Sequence, residues 1–104
     1  MDQVVAEREL VAEPSEGPRF TLVVRIGAPQ PGPHDSWVCA ASIDGLSHRP
    51  LEAHGMDSLQ ALLLAMKNVR HQLDRFITHG GKLFLPGDEE SGCMSVSELF
   101  SDDA

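Results

Sequence analysis

Asp57-Ser58-Leu59-Gln60-Ala61-Leu62-Leu63-Leu64-Ala65-Met66-Lys67-Asn68-Val69-Arg70-His71-Gln72-Leu73-Asp74-Arg75-Phe76-Ile77-Thr78-His79 is the stretch that decides the fold. Leu59, Leu62, Leu63, Met66, Val69, Leu73, Phe76 and Ile77 recur at helical spacing and form one apolar stripe, while Lys67, Asn68, His71, Gln72, Asp74 and Arg75 fall opposite. Asp57 is suited to cap the first turn, and Gln60, three residues on, can reach back toward it as a capping box does. Gly80-Gly81 stops the pattern, as glycine commonly does past a helix C-terminus. The spacing predicts one long amphipathic helix whose greasy side must be sealed onto another layer.

The segments before it supply that layer. Phe20 to Ile26 alternates, with Phe20, Leu22, Val24 and Ile26 on one face and β-branched residues suited to a pleated surface. Ser36 to Ile43 likewise places Trp37, Cys39, Ala41 and Ile43 together. Between them, Ala28-Pro29-Gln30-Pro31-Gly32-Pro33 reads as a stiff extended loop that cannot continue a ladder, because three prolines lack amide donors. Asp44-Gly45 is a tight-turn dipeptide, and Arg49 to His54 returns as an edge strand next to Pro50. Val4 to Val11 is a weaker strand, since neither of its alternating sets is cleanly apolar. These four strands and short turns predict an antiparallel meander, and Leu83-Phe84-Leu85 can add a fifth short strand. The expected fold is therefore α+β, a four-stranded antiparallel sheet with one long helix packed on one face. Residues 1–100 form the single domain and 101–104 a frayed acidic C-terminus.

Bulk properties narrow the function classes. The chain has 104 residues, 41% of them hydrophobic, which suits one domain with one core. Its net charge of −8, from 16 acidic and 8 basic side chains, opposes nucleic-acid backbones and anionic membranes, both of which are bound chiefly through Lys and Arg. It suits solubility, or a basic partner protein. Asp2, Glu7, Arg8 and Glu9 interrupt any signal-peptide core near the N-terminus, and the longest apolar run, Ala61 to Met66, is far short of a membrane span. A cytoplasmic location is expected.

Arg25-Ile26-Gly27-Ala28-Pro29, Trp37-Val38-Cys39, Ile43-Asp44-Gly45-Leu46 and Gly55-Met56-Asp57-Ser58-Leu59-Gln60-Ala61-Leu62-Leu63-Leu64-Ala65 occur in that order. Together they resemble a family of small bacterial proteins catalogued as a domain of unknown function. The resemblance spans Arg19 to Leu85 and leaves the acidic tail outside it. It implies a fold type and a bacterial origin, and no reaction. The Gly55 segment is also fully accounted for as a helix start: Gly55 permits an abrupt entry, Asp57 caps, Gln60 closes the box and the leucines dock.

Candidate chemistry is sparse. His34, His48, His54, His71 and His79 include no pair three or four residues apart, the spacing of a helical zinc site; His71 and His79 are too distant to share an ion, whereas His48 and His54 can approach at the strand edge. Cys39 falls on the inward face of its strand and is expected to act as a small hydrophobe. Cys93 lies in an acid-rich segment that disfavours a thiolate. One bridge between the two remains open from sequence. Asp88-Glu89-Glu90 lacks the alternating ligands of a calcium loop, and Arg25, Arg70 and Arg75 are isolated positives.

No catalytic residue, cofactor or metal ligand is therefore assigned, and the expected function is a non-enzymatic protein-binding module. Its most concrete form is an immunity-type inhibitor of a basic protein, with Asp88, Glu89, Glu90, Glu98, Asp102 and Asp103 as the partner-binding acids. The alternative is a homo-oligomeric structural, accessory or secretion-chaperone-like protein that pairs through the edge near Pro50 or through spare apolar surface at Leu64 and Phe100. A third class, a hydrolase using Cys39 or a histidine, lacks any nucleophile–base pair of meaningful spacing.

Overall fold

A computed structural model describes residues 3–101. The strands are β1 (Val4–Glu13), β2 (Phe20–Gly27), β3 (Gln30–Pro31), β4 (Trp37–Asp44), β5 (Leu51–Gly55) and β6 (Lys82–Phe84); the helices are α1 (Ser58–Thr78) and α2 (Val96–Leu99). The six strands form one antiparallel sheet. Ala41 pairs with Ile26 on one side and with Leu51 on the other, so β5 and β2 flank β4. Trp37 and Val38 pair with both β3 and β5, which puts β3 on the β2 side of β4. The sheet thus runs β5, β4, β2 with β3, β1, β6. The expected meander β1-β2-β4-β5 is present, and β6 joins the far edge beside β1 after α1 has carried the chain back across the sheet.

The sheet has six strands where four, with a short fifth after the helix, were expected, and the difference lies in the proline-rich connection. Gln30 and Pro31 do pair, with Val38 and Trp37. Proline prevents donation, but acceptance through its carbonyl is unaffected, and a two-residue edge needs few donors. The Gly32 N–H to Ser36 carbonyl bond, 2.8 Å, closes this small hairpin around a 3-10 turn at Pro33–Asp35. β6 is the short fifth strand expected at Leu83-Phe84-Leu85, one residue earlier, and its Leu83 and Phe84 pair with Ala12 and Val11.

One face of the sheet is sealed. Leu10, Leu22, Cys39, Ala41 and Ile43 are almost fully buried beneath Ala61, Ala65, Val69 and Leu73 of α1. The other face carries mixed, partly exposed side chains such as Val23, Arg25 and Ser42, the usual condition of an antiparallel sheet. There Arg25 bonds Glu7 at 2.9 Å and Asp44. Its pKa is raised chiefly by the Glu7 hydrogen bond; desolvation opposes this, and the charge of Asp44 reinforces it.

The helix begins and ends as its sequence dictates. The Asp57 side chain accepts the Gln60 N–H at 2.7 Å, and the Gln60 side chain accepts the Met56 N–H at 2.6 Å, one residue before the expected partner. At the other end Gly80 takes a positive φ of 94°, and the Gly80 and Gly81 amides donate to the Ile77 and Phe76 carbonyls. This is the Schellman arrangement, which glycine favours because it has no Cβ to clash.

The rotation of α1 corrects the expected stripe. Its deeply buried line is Ala61, Ala65, Val69 and Leu73; Leu62, Met66, Phe76 and Ile77 are half-buried beside it. Leu59 and Leu63 are 62% and 56% exposed. The reason is distance of approach. A Cβ on Gly55 of β5 would lie 2.5 Å from the Ala61 amide nitrogen, so backbone nearly touches backbone where α1 leaves the sheet. Only small residues fit that seam, and the leucines are turned outward. Leu64, expected as spare surface, is half-buried against the core, as is Phe100, over which the Arg70 guanidinium sits 5.3 Å from the ring centre.

Urea unfolding distinguishes the two stripes. Leu73→Ala should cost about 3 kcal/mol, as a truncation in a packed core does, whereas Leu59→Ala should change stability by less than about 0.5 kcal/mol.

Candidate functional site

Among the described residues the proposed acids sit on two elements, Asp88, Glu89 and Glu90 at a 3-10 turn and Glu98 on α2. Asp88 and Glu90 are exposed and Glu89 is half-buried; the Asp88 carboxylate accepts the Ser91 hydroxyl at 2.6 Å across a 3-10 turn at Glu89–Ser91. Glu98 belongs to α2, where it completes a capping box: its amide donates to the Ser95 hydroxyl at 3.1 Å and its carboxylate accepts the Ser95 N–H at 3.3 Å. Its carboxylate is therefore already employed locally. Asp102 and Asp103 lie outside the described residues.

The histidines are all exposed. His79 is the helix C-cap residue, and its Nδ1 lies 2.7 Å from the Arg75 carbonyl. No group of three or more His, Cys, Asp or Glu side chains able to hold a metal occurs among the described residues. No helix among them is long and apolar enough to cross a membrane. Both cysteines are free: Cys39 is buried and Cys93 exposed. Burial pushes the Cys39 thiol up, and its sulfur donates to the Gly27 carbonyl at 3.3 Å, so it rests as a neutral thiol within the core.

What the sequence reading missed is a concave surface beside β1. A groove of about 490 Å³ runs between the N-terminal half of β1, the flank of α1 and the C-terminal end of α2. Ala6, Leu10 and Ile26 form its floor, Leu62 and Met66 one wall, and Leu99 and Phe100 the other. Arg8 lines it too, with its guanidinium engaged by the Leu99 carbonyl. A larger, more polar cleft of about 710 Å³ adjoins it between α1 and α2, lined by Lys67, Arg70, His71, Asp74 and Ser97, and shares Met66 and Phe100 with the groove. Apolar lining with few polar groups is the usual mark of a binding concavity, which favours the smaller groove. Exposed hydrophobic residues lie on two of the same elements: Val4 and Val5 on β1, 43% and 51% exposed, and Leu59 and Leu63 on α1.

Fold and surface together define a small α+β protein with an open antiparallel sheet, one covered face and an apolar groove. The chain belongs to the family described as a domain of unknown function (DUF6968), whose model matches residues 6–94. The match reaches further in both directions than the motifs from Arg19 to Leu85: it takes in most of β1 and the Asp88–Glu90 acids, and it stops short of α2 and Glu98. Neither the curated proteins nor the solved structures yielded a match to the chain.

Thiol titration checks the placement of the cysteines. With an aromatic disulfide reagent near pH 8, Cys93 should react at once, and Cys39 only after guanidinium unfolds the core.

Proposed function

We propose that this is a bacterial, cytoplasmic, non-enzymatic protein-binding module, acting on a basic partner as an immunity-type inhibitor does. The observation that carries the reading is exposed apolar surface on a strongly acidic chain. Met56, Leu59 and Leu63 are 81%, 62% and 56% exposed at the N-terminal end of α1, while the net charge is −8. Grouped exposed hydrophobic side chains mark contact surfaces more often than isolated ones do. Acids on the same chain speed encounter with a positive partner, while the apolar residues supply the burial that holds it. Asp88, Glu89 and Glu90 suit the first role because none of them has an ion-pair partner among the described residues.

A homo-oligomeric accessory role is the second reading, favoured by the same exposed leucines, which a second copy could bury. Light scattering separates the two: an inhibitor of this kind stays monomeric until its partner is added.

Affinity capture from the native host at low salt tests the proposal. The wild-type chain should retain a basic protein with an on-rate that falls steeply as salt rises. The double variant L59S/L63S should fold normally and lose at least about tenfold in affinity, the loss expected from removing central apolar contacts. An acidic partner, or one indifferent to both salt and these leucines, overturns the reading.

A further inference from the structure

The sheet is left unfinished at one place, and the cause is local. β6 pairs with β1 only over Val11, Ala12 and Glu13. It then meets Leu85-Pro86-Gly87-Asp88, where Pro86 offers no amide for a ladder and the Asp88 N–H closes a turn onto the Leu85 carbonyl at 3.1 Å. Among the described residues no strand pairs with β1 on that side from Val4 to Leu10, where β2 is its one strand partner, and its residues from Val4 to Glu9 are exposed. The register with β2 steps at a bulge between Val4 and Ala6, so the regular stretch is Ala6 to Leu10; along these five residues, a span of about 17 Å at the usual rise per residue, alternate residues turn their N–H and C=O groups outward.

We infer that this flank is a strand-addition site for an extended segment of a basic partner protein whose residues alternate between Lys or Arg and apolar side chains. The inference rests on the protein-binding reading and adds to the contact at Leu59 and Leu63 a second one, beside β1, for an extended segment of the same partner. The alternation follows from the pleat. Glu7 and Glu9 pair with Arg25 and Val23, on the face away from the helix; a strand laid beside β1 would set its residues on that face against these two carboxylates, where cross-strand cations are favourable. Glu9 has no ion-pair partner among the described residues. Ala6, Arg8 and Leu10 pair with Ile26, Val24 and Leu22, on the face beneath the helix. Partner residues of that parity would lie over the apolar groove, against Met66, Leu99 and Phe100. Backbone bonds would supply affinity and the alternating pockets selectivity, as in other strand additions.

Two other occupants fit less well. A second copy paired antiparallel through Ala6 to Leu10 would set Arg8 against Arg8 and Glu7 against Glu9, and like charges directly opposite are unfavourable. The other free edge, β5, is five residues long, and its inward residues Ala53 and Gly55 are already buried, so a strand added there would find no apolar site to fill.

The test uses the full chain and three nine-residue peptides: alternating lysine and valine, the same composition in two blocks, and alternating glutamate and valine. Amide hydrogen exchange is read residue by residue by NMR. The alternating lysine peptide should slow exchange at alternate residues between Ala6 and Leu10, and the other two peptides should not. Glu9→Lys, a surface change with no ion pair to break, should weaken that peptide about fivefold. Glu52→Lys, the same change on β5, should leave it unaltered. Protection by the lysine peptide along β5 or on α1 with none on β1 overturns the inference and leaves the protein-binding reading standing. Protection of β1 that grows with protein concentration without peptide overturns it in favour of a second copy. No protection by any peptide, with host capture of a basic partner intact, also overturns the inference alone; loss of both removes the underlying reading.

Discussion

The near-contact between the start of α1 and β5 governs the rest of the molecule. Gly55 and Ala61 bring backbone against backbone, with 2.5 Å available where a Cβ would stand. Ala65, Val69 and Leu73 then continue the seam as the helix passes over β4 and β5. A helix held that close cannot turn its large side chains inward at this end, since a leucine at Ala61 or Ala65 would force the layers apart and open voids along the whole interface. Three properties follow from this one fit. The leucines at 59 and 63 face solvent, the helix lies toward the β5 side of the sheet, and the β1 half of the covered face is left to smaller elements.

Those smaller elements complete the cover only in part. β6 is three residues long because a proline turn follows it, and α2 is a single capped turn. Met94 donates to the Leu83 carbonyl at 2.7 Å, tying the returning chain to β6, and the Arg8 guanidinium engages the Leu99 carbonyl to anchor α2 above β1. Leu99 and Val96 are thereby buried, while Phe100 stays half-exposed at the lip of the groove. Groove and open strand flank are two consequences of the same short C-terminal cover. That the family match ends at Met94 means that the wall formed by Leu99 and Phe100 lies beyond the shared segment.

The elements whose physics is local were legible beforehand. Asp57, Gln60 and Gly80-Gly81 act within four or five residues of chain, and the bounds they give the helix are the observed ones to within a residue. The alternation at Phe20–Ile26 and Trp37–Ile43 named the inward residues correctly, Cys39 among them. Val4 to Val11 looked weak because its outer half is exposed on both faces and only Leu10 and Ala12 reach the core. The candidate site was hardly visible at all. Acids at 88–90, 98, 102 and 103 are close in sequence, but Glu98 serves the cap of its own helix and the last two lie outside the described residues. A signal for the open flank did exist, in Pro86 placed immediately after an apolar run too short to match β1.

By itself the sequence determined the long helix and its two ends, the four main strands, and the apolar parity of the two central ones, because caps, turns and pleats draw on neighbours along the chain. Tertiary structure alone decided which stripe of α1 is buried, how far the sheet extends, and where its edge is left unpaired. Those outcomes depend on whether two distant surfaces can approach to contact. That is set by the volume of residues such as Gly55 and Ala61 taken together, and no single segment holds both halves of the fit.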